Sequence, residues 1–231
     1  MKNVSEIINQ GNKNAELPAW LNMRHAWSAS DAKRDEGLIY PNNVIQIKNL
    51  DYKKAIDVKK WNESFQREDN ERIIYYNEPD DASNLDSERY ASNSLFDIYY
   101  PVELDAQTSY PVIVSVHGGG WFYGDKELYS YYCCHLASKG FAVVNFNYRL
   151  APQNKYPAAI EDVAYIIHYI HENAGMLHLD MEKFYMLGDS AGAQLTANYC
   201  IIAGNAAYRS KLDFFTYDRL PKAVCLNCGA Y

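Results

Sequence analysis

Three uninterrupted apolar runs constrain this chain more than any other feature: residues 111–116 (PVIVSV), 141–146 (FAVVNF) and 184–187 (FYML). A short run with no polar face has nothing to give to water, so it belongs in a sheet covered on both sides. The stretches between the runs carry a different period. Residues 126–139 place Leu128, Tyr132 and Leu136 at helical spacing and end at Gly140. Residues 157–173 place Ile160, Val163, Ile167 and Ile170 on one face, with Gly175 beyond them; residues 190–203 form a third helical stretch before Gly204. A last apolar strand is expected over residues 223–228. Alternating strands and helices predict an α/β fold, a mostly parallel sheet with flanking helices. Functional loops then lie at the carboxyl ends of the strands.

Ahead of these runs, residues 72–77 (RIIYYN) and 94–102 (SLFDIYYPV) are aromatic and β-branched, and read as strands joined through a polar turn region. Residues 1–70 differ in kind. They are polar and charge-rich, and Val58, Trp61 and Phe65 share one helical face. This part reads as a helical N-terminal cap-like region without strands, and residues 71–231 as a partial α/β core.

At 231 residues, 48% of them hydrophobic, the chain can build a substantial core. Its net charge of −7 argues against nucleic acid or an anionic membrane as partner. No segment approaches the ~20 apolar residues of a membrane-spanning helix, and no apolar leader follows Met1, so the expected address is cytoplasmic. Five cysteines, an odd number, fit free thiols. Cys225-Leu226-Asn227-Cys228 lacks the second pair a zinc site needs and reads as part of a buried strand.

Two motifs carry chemistry. Gly188-Asp189-Ser190-Ala191-Gly192 follows the run FYML and opens a helix. In this strand–turn–helix context the sharp turn pushes the Ser190 hydroxyl into the open, and flanking side chains would collide with neighbouring backbone. The helix N-terminus behind it favours developing negative charge. His117-Gly118-Gly119-Gly120-Trp121 directly follows PVIVSV. Consecutive glycines leave backbone N–H groups unshielded, free to converge on the anion of a tetrahedral acyl-transfer intermediate.

Together with Tyr148-Arg149-Leu150-Ala151-Pro152 and Tyr156-Pro157-Ala158-Ala159 followed by Glu161-Asp162, these motifs resemble the hormone-sensitive-lipase branch of the α/β-hydrolases, a branch rich in carboxylesterases and acetyl esterases. The resemblance runs from about Arg72 onward. It implies hydrolysis of short acyl esters, a small-molecule substrate, and no metal or organic cofactor. It implies Ser190 as nucleophile and Gly119, Gly120 and Ala191 as oxyanion donors, with His117, Gly118, Gly188, Asp189 and Gly192 shaping the two turns. N-terminal helices that cap the acyl pocket are a further family trait. Asp189, next to the nucleophile, reads as a hydrogen-bonding residue rather than a triad acid, and Arg149 and Asp162 are expected to pair.

A serine nucleophile needs a base and an orienting acid, which follow it in this fold. After Ser190 the sequence has Asp213 and Asp218 and no histidine. His135, His168 and His171 read as solvated residues of crossover helices, His178 lies at the wrong end of its strand, and His25 falls in the cap-like region. About six of the usual eight strands are legible, so truncation is the simplest expectation. Two alternatives stay open: a non-catalytic small-molecule-binding relative that has lost its base, and amide rather than ester hydrolysis. An open sheet edge makes a homo-oligomer possible.

Overall fold

The computed structural model describes residues 17–65, 72–77, 84–101 and 108–231. Residues 1–16 of the expected cap-like region, and part of the polar connection before residue 94, lie outside the described residues. Seven strands form one sheet: β1 (Val44–Asp51), β2 (Ile73–Tyr75), β3 (Leu95–Pro101), β4 (Tyr110–Val116), β5 (Ala142–Phe146), β6 (Leu179–Asp189) and β7 (Ala223–Asn227). Their order across the sheet is β2-β1-β3-β5-β4-β6-β7. From β5 to β7 neighbours are parallel, while β3 runs antiparallel to both β1 and β5. This is the mostly parallel α/β-hydrolase arrangement expected from the alternation of runs.

The helices are α1 (Ala19–Arg34), α2 (Val58–Phe65), α3 (Glu88–Ser92), α4 (Ser130–Ala137), α5 (Ala158–Glu172), α6 (Ala191–Gly204) and the short α7 (Ala206–Arg209); a 3-10 turn, Lys126–Tyr129, leads into α4. Cys133, Cys134 and Ala137 of α4 pack with Val143 and Tyr99 on one face of the sheet. On the other face Val163, Ile167 and Ile170 of α5, with Leu195 and Tyr199 of α6, pack against Val144, Ile98 and Val114. Neighbouring residues of β5 thus serve opposite layers, as strand geometry requires. Every residue of β5 is buried, which is why its sequence shows no alternation. Among the described residues no helix is long and apolar enough to cross a membrane.

Three expectations need correction. Residues 1–70 are not all helical, because Val44–Asp51 is a strand inside the core sheet. Its apolar residues are interrupted by Gln46, Lys48 and Asn49, all buried. Lys48 is tolerated there because its ammonium meets Glu127 and lies 3.7 Å from Asp97, partners remote in sequence. Likewise the N–H of Asn49, at φ 63°, donates to Asp97 Oδ1 (2.9 Å) where the β1–β3 register shifts. Second, β7 is not buried. It is an edge strand whose Val224, Cys225 and Leu226 are exposed, as is Cys228 beyond it. Third, His168 and His171 are half-buried rather than solvated. The segment before β7 folds over α5, setting Phe215 and Tyr217 against His168, while His171 bonds to Tyr217 and meets Arg219 at 3.2 Å.

Candidate active site

The elbow is built where β6 ends. Ser190 has φ 50° and ψ −115°, a conformation an L-residue adopts only under constraint, and its side chain is exposed. The constraint comes from both flanks. A Cβ on Gly188 would sit 2.4 Å from Gly192 O, and one on Gly192 would sit 2.0 Å from Val116 O. The chain can turn this sharply only because neither flank carries a side chain. Ser190 N–H donates to Asn227 O of β7 (2.7 Å), pinning the bend from the side. Helix α6 starts at Ala191, so its positive end faces the hydroxyl.

The sheet register brings the second motif here. Val116 pairs with Gly188, so the loop leaving β4 emerges beside the elbow. Gly119 (φ 114°) and Gly120 (φ 59°) take up backbone conformations that L side chains disfavour, and a Cβ on Gly119 would lie 1.9 Å from Tyr123 O. The turn closes on itself: the N–H groups of Phe122 and Tyr123 donate to Gly119 O (3.2 and 2.9 Å). Among the described residues no acceptor takes the N–H of Gly119 or Gly120. Two side chains bridge the loops. Tyr129 accepts from Gly118 N–H (3.3 Å) and donates to Asp189 Oδ2 (2.6 Å). Trp121 Nε1–H donates to Gln194 Oε1 of α6 (3.3 Å). Asp189 therefore makes the hydrogen bond expected of it. Burial and the Asp189 carboxylate push the Tyr129 phenol up from its ordinary pKa.

His117 is fully buried, stacked on Tyr148 at 4.0 Å, and its Nδ1 lies 2.7 Å from Gly118 O. That contact requires Nδ1–H, which leaves Nε2 without a partner among the described residues. Burial lowers its pKa to about 4, so the ring is neutral near pH 7. Behind the site, Arg149 Nε donates to the fully buried Asp162 (2.8 Å) and Nη2 reaches Glu161 (2.6 Å), so the expected pair forms. No histidine ring bonds to Ser190 among the described residues: His25 engages Asp86 (2.9 Å), and His135 lies exposed on α4.

Two cavities flank the elbow. One, about 450 Å³, is lined by Arg34, Leu38, Tyr129, Tyr132, Asp189 and Asn227. The other, about 190 Å³, lies among Trp121, Tyr156, Gln194, Leu195 and Asn198. Among the described residues no group of three or more His, Cys, Asp or Glu could hold a metal ion.

The sequence reading missed Tyr129, Gln194 and Arg24. The first two occupy ordinary helical positions, and no local pattern marks them as bridges. Arg24 sits in a polar helix where a charge is unremarkable; only the fold shows it 0% exposed, with its guanidinium on the carbonyls of Phe122, Leu85 and Ala151.

Known proteins agree with this architecture. Esterase LipI of Mycobacterium tuberculosis is 36% identical over 101 residues, covering 43% of this chain and 32% of that protein. An ethyl acetate hydrolase of Pseudomonas putida is 30% identical over 137 residues, covering 58% of this chain and 42% of the hydrolase. In fold, the chain is similar to Esterase B of Lactobacillus rhamnosis, with TM-score 0.68 at 23% identity, covering 91% of this chain and 57% of that one. The matches thus span well under two thirds of these relatives' lengths. The BD-FAE family model matches residues 96–224, more than half of the sequence and inclusive of both glycine-rich motifs, and the chain accordingly belongs to the BD-FAE family.

Proposed function

We propose that the protein hydrolyses short-chain carboxylic esters, small molecules of the acetyl-ester type, with Ser190 as nucleophile. The observation that carries this reading is the constrained Ser190 itself, held at φ 50° on the end of β6 beside a glycine turn with free N–H groups. Ser190 Oγ attacks the ester carbonyl, and the carbonyl oxygen becomes an oxyanion. The N–H groups of Gly119, Gly120 and Ala191 receive it; donors already in place need no reorganisation as the charge develops. Collapse breaks the bond to the alcohol and leaves an acyl-serine, which water hydrolyses to the carboxylic acid. The serine proton requires a base. Among the described residues no histidine ring bonds to Ser190: the rings of His25, His117 and His171 engage Asp86, Gly118 O and Tyr217. Helix α1 supplies part of a cap, in which Trp27 lies over the glycine turn, its ring 3.4 Å from a Cβ position on Gly120. Five free thiols are consistent with a cytoplasmic setting.

The test is hydrolysis of p-nitrophenyl acetate and butyrate by the full gene product and its Ser190→Ala variant. The variant should lose on the order of 10⁴-fold to 10⁶-fold in kcat. Equal rates in the two proteins would sink the assignment. That no histidine ring bonds to Ser190 among the described residues favours one competing reading, a small-molecule receptor on the same pocket. Ligand-induced thermal stabilisation with no turnover in the full gene product would select it.

A further inference from the structure

Helix α1 grips the loop that carries the oxyanion donors. Arg24 is 0% exposed, yet among the described residues it forms no ion pair with a carboxylate; its hydrogen bonds go to backbone carbonyls. Its Nε–H donates to Phe122 O (2.9 Å), Nη2 to Ala151 O (3.2 Å) and Nη1 to Leu85 O. The rings of Trp20 and Tyr90 lie 4.8 and 5.0 Å from its Cζ. Removing a guanidinium from water is expensive, and only matched acceptors and π faces recover the loss. Those acceptors are the loop itself and its support. Phe122 follows Gly120 by two residues. Ala151, whose carbonyl Arg24 holds, donates its own N–H to Trp121 O (2.8 Å). Tyr90, which faces Arg24, accepts from Gly124 N–H (3.0 Å) at the far end of the same loop. Trp27 and Asp31 continue the grip along one face of α1: Trp27 packs on Phe122 (5.0 Å) and Tyr123 (5.9 Å), and Asp31 accepts from Tyr123 O–H (2.8 Å).

We propose that Arg24 is a positioning residue for acyl transfer: through the carbonyls of Phe122 and Ala151 it holds the turn that aims the Gly119 and Gly120 N–H groups. The proposal rests on the ester-hydrolase reading. A cap that merely covered the pocket would need apolar contact only; a buried cation on three backbone carbonyls fixes the orientation of peptide planes.

The experiment uses the full gene product with Arg24→Met, Arg24→Ala and Arg24→Lys. Steady-state kinetics on p-nitrophenyl acetate is combined with hydrogen exchange of the peptide spanning residues 117–124. Small displacements of catalytic groups cost up to about a hundredfold. The Met variant should therefore lose about tenfold to a hundredfold in kcat, with KM within about threefold, and lose exchange protection in 117–124. Lys, which cannot reach three carbonyls at once, should fall between Met and the parent. In the Ala variant, added methylguanidinium should recover part of kcat, an effect that a purely structural role does not produce. Folded Met or Ala variants with parental kcat would overturn the proposal, as would unchanged protection of 117–124. If Met and Ala fail to fold, parental kcat in Arg24→Lys overturns it. If the parent shows no Ser190-dependent hydrolysis, the ester-hydrolase reading fails by itself, and exchange at 117–124 alone decides whether Arg24 holds the loop.

Discussion

At the scale of single residues, the site is defined by atoms that are missing. Gly188 and Gly192 let the nucleophile elbow approach within contact of the β4 backbone, and no other residue type fits there. A Cβ on Gly192 would lie 2.0 Å from Val116 O and 2.5 Å from His117 O, backbone atoms that cannot rotate away. Gly192→Ala is therefore expected to destabilise by more than about 4 kcal/mol or to abolish soluble expression. Gly175 gives the contrast. Nothing lies within 4 Å of its Cβ position, so Gly175→Ala should be neutral or stabilise by up to about 1 kcal/mol. Urea unfolding of the two variants side by side checks both; equal stabilities would mean that the elbow relaxes and that its tightness is not a requirement.

At the scale of elements, the 3-10 turn Lys126–Tyr129 joins the glycine loop to the sheet. Lys126 Nζ lies 3.0 Å from Asp97 Oδ1 of β3, and Lys126 N–H donates to Asn147 Oδ1 (2.6 Å) beyond β5. Asp97 is fully buried. Desolvation pushes its carboxyl above the usual range, opposed by the charge of Lys126. Removing one partner of a buried pair leaves the other charge stranded. Lys126→Met should cost roughly 3 kcal/mol, the low end of the range for such losses, because Lys48 still lies 3.7 Å from Asp97. Pairing it with Asp97→Asn removes the stranded charge and should restore part of the loss. A double-mutant cycle measures this directly, and strict additivity would show that the two groups do not interact.

At the scale of the whole molecule, α1 and the 3-10 turn hold the glycine loop from two sides, and His117 lies at its root, sealed from water. The pKa of His117 is held at about 4 by burial, against 6.5 for the free side chain. The sign follows from proton uptake. Above pH 6.5 neither folded nor unfolded chain protonates this ring. Between 6.5 and about 4 only the unfolded chain does, so stability falls as the pH drops through that window and levels off below it. The full loss is roughly 3 kcal/mol at 1.36 kcal/mol per pH unit. Urea denaturation across this window should show the slope in the parent and a flatter one in His117→Phe; identical slopes would place the titration elsewhere.

The sequence alone determined whatever depends on neighbours along the chain. Continuous apolar runs located β4, β5 and the end of β6, helical spacing located α4, α5 and α6, and the two glycine motifs located both turns, since a forbidden Cβ is a local fact. Tertiary structure decided whatever depends on a remote partner. Val44–Asp51 was hidden because Gln46, Lys48 and Asn49 look like surface until Asp97 and Glu127 arrive beside them. His168 and His171 looked solvated until residues 215–219 folded over α5. Arg24 looked like any charge on a polar helix until three carbonyls from separate segments surrounded it. A buried polar group survives only where its hydrogen bonds are met, and those partners are chosen by the fold in three dimensions rather than by spacing along the chain.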